Sequence, residues 1–245
     1  MKRFAICCFA NGNYITGASV ALKSFRQNCT VSCDYIILTD DPAAKALYPW
    51  IILHQVDNVS WKNIATRQDL FSGVCLKYES LLLPYERIVV LDSDVLVLSD
   101  VTPILTNEYP DHDLIAVRDY GAAHYYQEKL NELNLDPQMI INTGVLICKG
   151  NALNTDWRMV FGDIPASSSY DGSDQGYLNY YLQHVAVTLK CLLEDVRYNY
   201  ALDPCYPACH PKVIVHFTGV CKPWLQDCSH TGYRKLYHNL WNKLK

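Results

Sequence analysis

Two aspartates that follow an apolar, β-rich run are the first candidates for metal chemistry in this chain. Asp92 and Asp94 come directly after residues 88–91, Ile-Val-Val-Leu. Side chains two positions apart on an extended backbone point the same way, so both carboxylates can face one cation. Ligands of open α/β sheets bind at the carboxyl ends of strands, where this pair is predicted to lie. A divalent cation there could neutralise a diphosphate leaving group.

The Asp-x-Asp pattern alone is not informative, because the chain contains 19 Asp among 245 residues. Chance gives about 1.5 such patterns at this composition, and Asp111-His112-Asp113 is a second one. The second pair precedes a predicted strand at 114–117, so it belongs to the opposite end of the sheet. Position, and not pattern, distinguishes Asp92 and Asp94.

Other polar segments also border predicted buried elements. Asn142-Thr143-Gly144 is predicted to come just before a buried strand at 144–148. Ser173 has the residue type of a helix cap, and Asp174 would then stand in the first turn of that helix beside Gln175.

A third polar segment combines an imidazole, a glycine and a cation. His216 lies near the end of a predicted strand at 213–217 and is followed by Gly219 and Lys222. A neutral imidazole can complete a metal site, and a lysine can hold phosphate oxygens as a point charge.

The elements that must position these side chains alternate between strand and helix. The apolar run at 4–9 predicts a buried strand, and apolar residues at i, i+3, i+4 and i+7 then mark one helical face. That face consists of Ala18, Ala21, Leu22 and Phe25. The other predicted elements are strands at 34–38, 87–91, 114–117, 144–148 and 213–217 and a helix at 69–82. This rhythm implies an α/β fold with a mostly parallel sheet covered on both faces. The connections at 120–137 and 198–211 are predicted to be loops that carry substrate-specific insertions.

Composition narrows the function classes. Half of the residues are apolar and 19% are charged, which is typical of a globular protein, and the length favours one large α/β domain. A net charge of -4 gives no general attraction to nucleic acid, so no nucleic-acid partner is predicted. The apolar run after Lys2-Arg3 is too short for a signal peptide and lacks a cleavage pattern, which favours a cytoplasmic protein.

The cysteines divide into two groups. The first lies in apolar runs and is predicted to be buried and reduced; its members are Cys7, Cys8, Cys148 and Cys191. The second is a late cluster without a tight CxxC pair, for which loop packing or occasional disulfides are favoured over zinc binding. It comprises Cys205, Cys209, His210, Cys221 and Cys228.

Taken together, these segments resemble glycosyltransferase family eight, the glycogenin-like and galactosyltransferase C-like retaining enzymes of the GT-A fold. The resemblance covers residues 4–224. It rests on Asn11-Gly12-Asn13-Tyr14, Lys77, Asp92-Ser93-Asp94, Asn142-Thr143-Gly144, Asp174-Gln175, and His216 with Gly219 and Lys222-Pro223-Trp224. It implies a single Rossmann-like GT-A domain over 1–245. The parts would be nucleotide binding at 1–95, donor sugar and acceptor at 96–228, and an amphipathic helix at 229–245.

The resemblance also implies roles for these residues toward a UDP-sugar donor. The ligands of Mn²⁺ or Mg²⁺ would be Asp92, Asp94 and His216, with Ser93 between the two carboxylates in the donor site. The base and ribose would contact Phe9, Ala10 and Asn11, and uracil would stack on Tyr14. Lys77 would contact the donor sugar or a phosphate. The transferred sugar would be surrounded by Asn142, Thr143, Gly144, Asp174 and Gln175. The diphosphate would be capped by Gly219 and Lys222.

The same resemblance implies a retaining hexosyl transfer. Such a reaction needs a covalent intermediate or attack from the face that UDP leaves. Asp174 is the matched carboxylate that is not assigned to the metal, so it is the candidate nucleophile or ion-pair stabiliser, while Gln175 would orient the sugar. On the front-face route the departing diphosphate is the base. UDP-glucose and UDP-galactose are the favoured donors. The acceptor, a glycan or protein-linked group, is undetermined, and a homodimer is compatible with the resemblance.

Two other function classes stay open. One is a catalytically inactive nucleotide-sugar binding module, against which the intact set of Asp92, Asp94 and His216 argues. The other is a metal-dependent nucleotidyltransferase or phosphohydrolase. That class leaves Asp174-Gln175 and residues 222–224 unexplained, and the sequence has no Gly-rich phosphate loop.

The C-terminal segment at 231–245 predicts an amphipathic helix. Its apolar face would consist of Tyr233, Leu236, Tyr237, Leu240, Trp241 and Leu244. Packing of this face on the protein itself is favoured, with peripheral membrane contact as a secondary hypothesis.

Overall fold

The computed structural model describes residues 2–56, 76–106, 112–150, 166–185, 191–194, 196–203, 205–207, 211–219, 222–224 and 232–245. Several predictions lie outside these residues. They are the first part of the helix at 69–82, Asp111, and Cys209, His210, Cys221 and Cys228 of the late cluster.

The strands form two sheets. The ten strands are β1 (Lys2–Phe9), β2 (Asp34–Thr39), β3 (Ile52–Gln55), β4 (Tyr85–Leu91), β5 (Val95–Val97), β6 (Leu114–Arg118), β7 (Ile141–Lys149), β8 (Cys191–Glu194), β9 (Tyr200–Ala201) and β10 (Ile214–His216). The larger sheet has the order β3-β2-β1-β4-β7-β6-β8, and β7 is the strand in it that runs antiparallel to its neighbours. The predicted α/β fold with a mostly parallel central sheet is therefore confirmed.

Six α-helices accompany the strands in the described part of the chain. They are α1 (Tyr14–Gln27), α2 (Thr102–Thr106), α3 (Tyr120–Tyr125), α4 (Gln127–Glu132), α5 (Asp174–His184) and α6 (Gly232–Leu244). The described end of the helix predicted at 69–82 is a 3₁₀ helix, Leu76–Leu82. The prediction of a loop at 120–137 is wrong, because α3 and α4 occupy most of it. The Asp119 carboxylate starts α3 by accepting hydrogen bonds from the Gly121 and Ala122 amides.

Alternate residues of the central strands supply the two apolar layers, as the period of a β-strand requires. Ile88 and Val90 of β4 face a layer that includes residues of the 3₁₀ helix and of α5. Val89 and Leu91 face the opposite layer, where the predicted buried face of α1 packs. Because both faces of the sheet are covered, its central strands are apolar throughout, and polar side chains concentrate where the strands end.

The direction of β7 determines what meets the end of β4. In the antiparallel register Leu91 pairs with Val145, so the beginning of β7 lies beside the end of β4. The polar triplet Asn142-Thr143-Gly144 lies inside β7, so the prediction that it precedes the strand is wrong. Its backbone is held on both sides, since Asn142 pairs with Val117 of β6 while the Asp92 amide donates to the Gly144 carbonyl at 2.9 Å. The register between β6 and β7 shifts at this point, between the pairs Ala116–Leu146 and Val117–Asn142, so the pairing is irregular at the triplet.

The C-terminal helix α6 packs on the protein itself, which is the alternative that the sequence analysis favoured over membrane contact. Tyr237 and Trp241 are buried, one turn apart, against a cluster that includes Val20 of α1. Leu236 is 53% exposed, so its assignment to the buried face is wrong. A residue adjacent to Tyr237 is rotated by about 100° around the helix, which carries it out of the buried stripe. Within the described residues, no helix combines the length and the hydropathy that a membrane span requires.

Candidate active site

Strand pairing brings the three predicted metal ligands together. Asp92 and Asp94 lie between β4 and β5, and β5 pairs antiparallel with β10 so that His216 stands opposite Val95. The Phe217 amide then donates to the Asp94 carbonyl at 2.9 Å. His216 Nε2 lies 3.2 Å from Asp94 Oδ1 and 3.6 Å from Asp92 Oδ2.

The donor atoms of these residues fit one divalent cation. One atom from each of Asp92, Asp94 and His216 lies within 4.8 Å of the others. Ligands of an octahedral ion at about 2.1 Å are separated by about 3 Å when adjacent and about 4 Å when opposite. Carboxylate and imidazole groups are both common ligands of divalent metal ions. These residues can therefore hold such an ion, with coordination positions left for other ligands.

The charge state of Asp94 is compatible with metal binding. Burial by itself would raise the pKa of this carboxyl, but His216 and Lys222 outweigh that effect and hold the pKa well below its usual range. The Lys222 ammonium contacts Asp94 Oδ2 directly. Asp94 is therefore ionised throughout the neutral range, and a divalent cation would have to compete with Lys222 for Oδ2.

Gly144 makes room for the imidazole. A Cβ atom at this position would overlap Cε1 and Nδ1 of the His216 ring and would approach Asn142 Oδ1 to 3.0 Å. The close approach of backbone to ring explains why this position of β7 carries no side chain.

Gly144→Ala is therefore expected to displace His216 and to weaken Mn²⁺ binding at least about 10-fold. Calorimetric titration with Mn²⁺ measures this effect. The double variant Gly144→Ala, His216→Ala is the control, because it removes the overlap. It should melt at a higher temperature than Gly144→Ala while binding Mn²⁺ no better than His216→Ala. Wild-type Mn²⁺ affinity in Gly144→Ala would contradict the proposed role of the ring.

Lys77 connects the metal ligands to the other side of the site. Its ammonium is 4% exposed and lies 2.7 Å from Asp174 Oδ2 and 3.1 Å from Asp92 Oδ1. It also donates to Thr143 Oγ1 at 3.2 Å. Burial alone would lower the pKa of Lys77, but attraction to Asp174 and Asp92 outweighs it and raises the pKa above the ordinary lysine value. One buried cation thus links the predicted metal ligand and the predicted catalytic carboxylate.

Asp174 begins α5 as predicted. The Ser173 hydroxyl caps the helix by accepting a hydrogen bond from the Gln175 amide at 3.1 Å. Asp174 is buried, and its Oδ2 also accepts from the Tyr78 hydroxyl at 2.8 Å. Both Lys77 and Tyr78 therefore contact the same oxygen, and Asp174 is one of the residues that line the main cleft.

Gln175 is fixed by residues around it. Its Nε2 donates to Asp119 Oδ2 at 2.6 Å and to the Tyr170 hydroxyl at 2.9 Å, while its Oε1 accepts from the Thr143 amide at 3.0 Å. Both of its N–H donors are therefore used within the protein. What remains for a bound sugar is a lone pair on Oε1, which can accept a hydrogen bond from a hydroxyl.

Asp119 is a site residue that the sequence did not indicate. It accepts hydrogen bonds from the helix α3 amides, from Gln175, from Asn142 Nδ2 at 3.4 Å and from the Tyr206 hydroxyl at 3.2 Å. An Asp before a run that starts a helix is a capping signal. The sequence contains this signal, but the segment after residue 119 was predicted to be a loop, so Asp119 was not interpreted as a helix cap.

The residues predicted to bind the base lie on the carboxyl end of β1. Ala10 is buried, and Asn11 Oδ1 accepts from the Thr39 hydroxyl at 2.7 Å, while its amide contacts Asp40. Tyr14 is 48% exposed and its ring meets Trp224 edge-on at 5.1 Å. These residues and the half-buried Phe9 do not line the main cleft.

The main cleft has a volume of about 670 Å³. Nine predicted residues line it: Asp92, Asp94, Asn142, Thr143, Asp174, Gln175, His216, Gly219 and Lys222. The lining residues that the sequence did not indicate include Asp119, Asp171, Asp203, Tyr125, Tyr126, Tyr206 and Thr218. Six aspartates thus surround this space, so an anionic diphosphate needs a compensating cation there.

The sheet order, with one antiparallel strand and an acidic pair at the end of β4, defines the class of GT-A glycosyltransferase folds. Residues 76–228, more than half of the chain, match the model of glycosyl transferase family 8, and the chain belongs to that family.

Relatives and solved structures agree with this assignment. Glycogenin from Komagataella phaffii is 25% identical over an alignment of 207 positions, which covers 78% of this chain and 44% of that protein. Glycogenin-1 from Caenorhabditis elegans is 25% identical over an alignment of 263 positions, which covers 97% of this chain and 56% of that protein. The chain thus spans about half the length of the curated relatives it matches. The galactosyltransferase LgtC, in complex with donor and acceptor sugar analogues, has a TM-score of 0.70 at 18% identity, with 98% of this chain and 94% of LgtC covered. Mouse xyloside xylosyltransferase 1 has a TM-score of 0.59 at 15% identity, with 88% and 97% covered.

Proposed function

We propose that this protein is a retaining, Mn²⁺-dependent glycosyltransferase that moves a hexose from a UDP-sugar to a hydroxyl acceptor. The observation that carries the proposal is the Lys77 bridge. It holds the cation-binding cluster of Asp92, Asp94 and His216 beside Asp174, a carboxylate that does not belong to that cluster. A diphosphate leaving group on the cluster would place its sugar next to Asp174.

The arrangement of cations suits departure of a diphosphate. A bound metal ion would supply positive charge to the leaving oxygens. Lys222 contacts Asp94 Oδ2, a carboxylate oxygen that could also bind a divalent cation. If a divalent cation took that oxygen, the Lys222 ammonium, which lines the same cleft as Gly219, would be free to approach a phosphate oxygen. Gly219 has φ of +85°, a backbone conformation that favours glycine.

Asp174 is placed to stabilise positive charge on the anomeric carbon. The buried Lys77 ammonium pairs with it, and both Lys77 and Tyr78 contact its Oδ2. The same orientation serves covalent attack and ion-pair stabilisation, and both routes retain the anomeric configuration. Gln175, through its remaining Oε1 lone pair, would accept a hydrogen bond from a hydroxyl of the transferred sugar.

A donor screen tests the proposal. UDP-glucose, UDP-galactose, UDP-N-acetylglucosamine and UDP-xylose are each incubated with Mn²⁺, with EDTA, and with a panel of sugar acceptors. The nucleotide product identifies the bond that breaks. A glycosyltransferase is supported if the acceptor speeds the release of UDP in the presence of Mn²⁺ and EDTA abolishes that release. Proton NMR of the product should then show the anomeric configuration of the donor. Release of UMP would indicate attack on the diphosphate instead. Tight Mn²⁺-dependent UDP binding without turnover of any donor would indicate a binding module.

The rim of the cleft suits a sugar acceptor. Tyr125 is 57% exposed and its hydroxyl donates to Asp203 Oδ2 at 3.3 Å, while the exposed Tyr126 lies next to it. Both line the cleft that the proposed metal ligands also line. An exposed aromatic face can cover the C–H face of a pyranose, and a neighbouring carboxylate can accept from its hydroxyls.

Tyr125→Ala is therefore expected to raise the KM for the acceptor about 10-fold, since a lost stacking contact is worth about 1.4 kcal/mol. Hydrolysis of the donor in the absence of acceptor should not change. Tyr125→Phe keeps the ring and is expected to stay within about 3-fold of wild type. An equal loss in Tyr125→Phe would assign the effect to the hydroxyl and Asp203, and no loss in either variant would place the acceptor elsewhere.

A further inference from the structure

A pair of thiols lies at the end of the sheet opposite the cleft, in the connection between α1 and β2. Cys29 and Cys33 are both half-buried and both reduced. Their Sγ atoms donate to the same acceptor, the Val31 carbonyl, at 3.7 Å and 3.5 Å. The Cys33 thiol is also close enough to Cys29 to interact with it. The two sulfurs are therefore neighbours on the same side of a five-residue segment.

The segment is held at both ends. Asn28 ends α1, and its Nδ2 donates to the Ser24 carbonyl at 2.9 Å and to Val97 of β5 at 3.3 Å. The Thr30 amide donates to Thr102 Oγ1 at 3.0 Å. Asp34, which begins β2, accepts from the Tyr85 hydroxyl at 2.6 Å. The two thiols therefore lie in a short segment whose ends are fixed to the rest of the fold.

The two thiols have different reactivity. The hydrogen bond from Cys33 lowers the pKa of Cys29 to about 7, although burial opposes the shift. The same hydrogen bond raises the pKa of Cys33 above the ordinary thiol value. By contrast, full burial in the sheet raises the pKa of Cys7 and of Cys8. The thiolate is the nucleophile in disulfide exchange, so Cys29 should react first.

We propose that Cys29 and Cys33 form a dithiol modification site, which a low-molecular-weight disulfide such as glutathione disulfide converts to an intramolecular disulfide. The Cys29 thiolate attacks one sulfur of glutathione disulfide, and one glutathione leaves. The Cys33 sulfur then attacks Cys29 in the mixed disulfide and displaces the second glutathione. Two protein thiols are oxidised, one disulfide is reduced to two glutathiones, and the thiol protons pass to the departing glutathione sulfurs.

The proposal is tested on the intact wild-type protein by differential alkylation. The reduced protein is incubated with glutathione disulfide at neutral pH, quenched with acid, alkylated with N-ethylmaleimide and digested with trypsin. Trypsin cleaves after Arg26 and after Lys45, so it releases the peptide 27–45, which contains both thiols and no other cysteine. After oxidation this peptide is expected to carry no N-ethylmaleimide and to be about 2 Da lighter than the unalkylated reduced peptide, which is the mass of two hydrogens. Dithiothreitol should restore that mass. Cys7, Cys8 and Cys148 should stay reduced under the same conditions.

Two serine variants separate the roles of the thiols. Cys33→Ser keeps a hydrogen-bond donor but removes the second sulfur, so Cys29 should accumulate a stable glutathione adduct. Cys29→Ser should form the adduct at Cys33 at least about 10-fold more slowly. A wild-type peptide that stays reduced, carries glutathione without closing, or links to another peptide would overturn the proposal. The thiol pair lies at the opposite end of the sheet from Asp92, so the oxidised protein should release UDP at the same rate as the protein with both thiols reduced. The test for the disulfide does not depend on whether the proposed transfer is found.

Discussion

Asp94→Asn is expected to abolish Mn²⁺-dependent UDP binding and sugar transfer while the fold is retained. Asp94 is the most deeply buried of the three proposed ligands Asp92, Asp94 and His216, and it contacts both His216 and Lys222. Replacement by the isosteric amide removes a metal ligand's charge but leaves its shape. The Kd of UDP in the presence of Mn²⁺, measured by calorimetry, should rise at least about 100-fold.

Asp113→Asn is the matched control, because it makes the same change in the chain's other Asp-x-Asp pattern. Asp113 directly precedes β6, at the opposite end of the sheet from Asp94. This variant should bind Mn²⁺ and UDP like wild type. Circular dichroism should give both variants the spectrum of the wild-type protein. If folded Asp94→Asn still binds UDP with Mn²⁺ dependence, the cation site lies elsewhere.

Asp174→Asn should lower kcat about 1,000-fold while the affinity for the UDP-sugar changes little. The carboxylate would act chiefly as the anomeric carbon becomes cationic, so its loss raises the barrier without weakening ground-state binding. Single-turnover kinetics, together with calorimetric titration of the UDP-sugar, separates the two quantities. Equal losses in affinity and in rate would assign Asp174 a positioning role.

Tyr78→Phe supplies the control for packing around Asp174. It removes the hydroxyl that donates to Asp174 Oδ2 but keeps the ring and the Lys77 contact. The expected loss in kcat is between about 10-fold and about 150-fold, because a hydrogen bond to a charged group is worth about 1.5–3 kcal/mol. A loss as large as that of Asp174→Asn would mean that orientation, and not charge, accounts for the effect. Melting temperatures of both variants are needed, because a broken buried ion pair can cost about 3–5 kcal/mol of stability.

The elements that local patterns predicted are those whose signals lie within a few residues of one another. The apolar face of α1 depends on residues three or four positions apart, and the cap of α5 depends on Ser173 and its nearest successors. The position of the aspartate pair after β4 follows from one short apolar run. Such signals act within single elements, so the sequence alone was sufficient to predict these elements.

Partners distant in the chain were set by the tertiary structure. Only the antiparallel insertion of β7 places Asn142-Thr143-Gly144 inside a strand beside Asp92. Only the pairing of β10 with β5 puts His216 Nε2 within 3.2 Å of Asp94. The family resemblance grouped these residues, but the distances come from the sheet.

The sequence by itself determined that this protein has an alternating α/β fold, an acidic pair at a strand end and a capped helix at Asp174. The tertiary structure decided that Lys77 is buried between Asp92 and Asp174, that Asp119 holds Gln175, and that α6 packs through Tyr237 and Trp241. The physical reason is that helix and strand periods are local properties of the chain. The partner of a buried charge and the face that a helix buries depend on surfaces that meet only after the strands have paired.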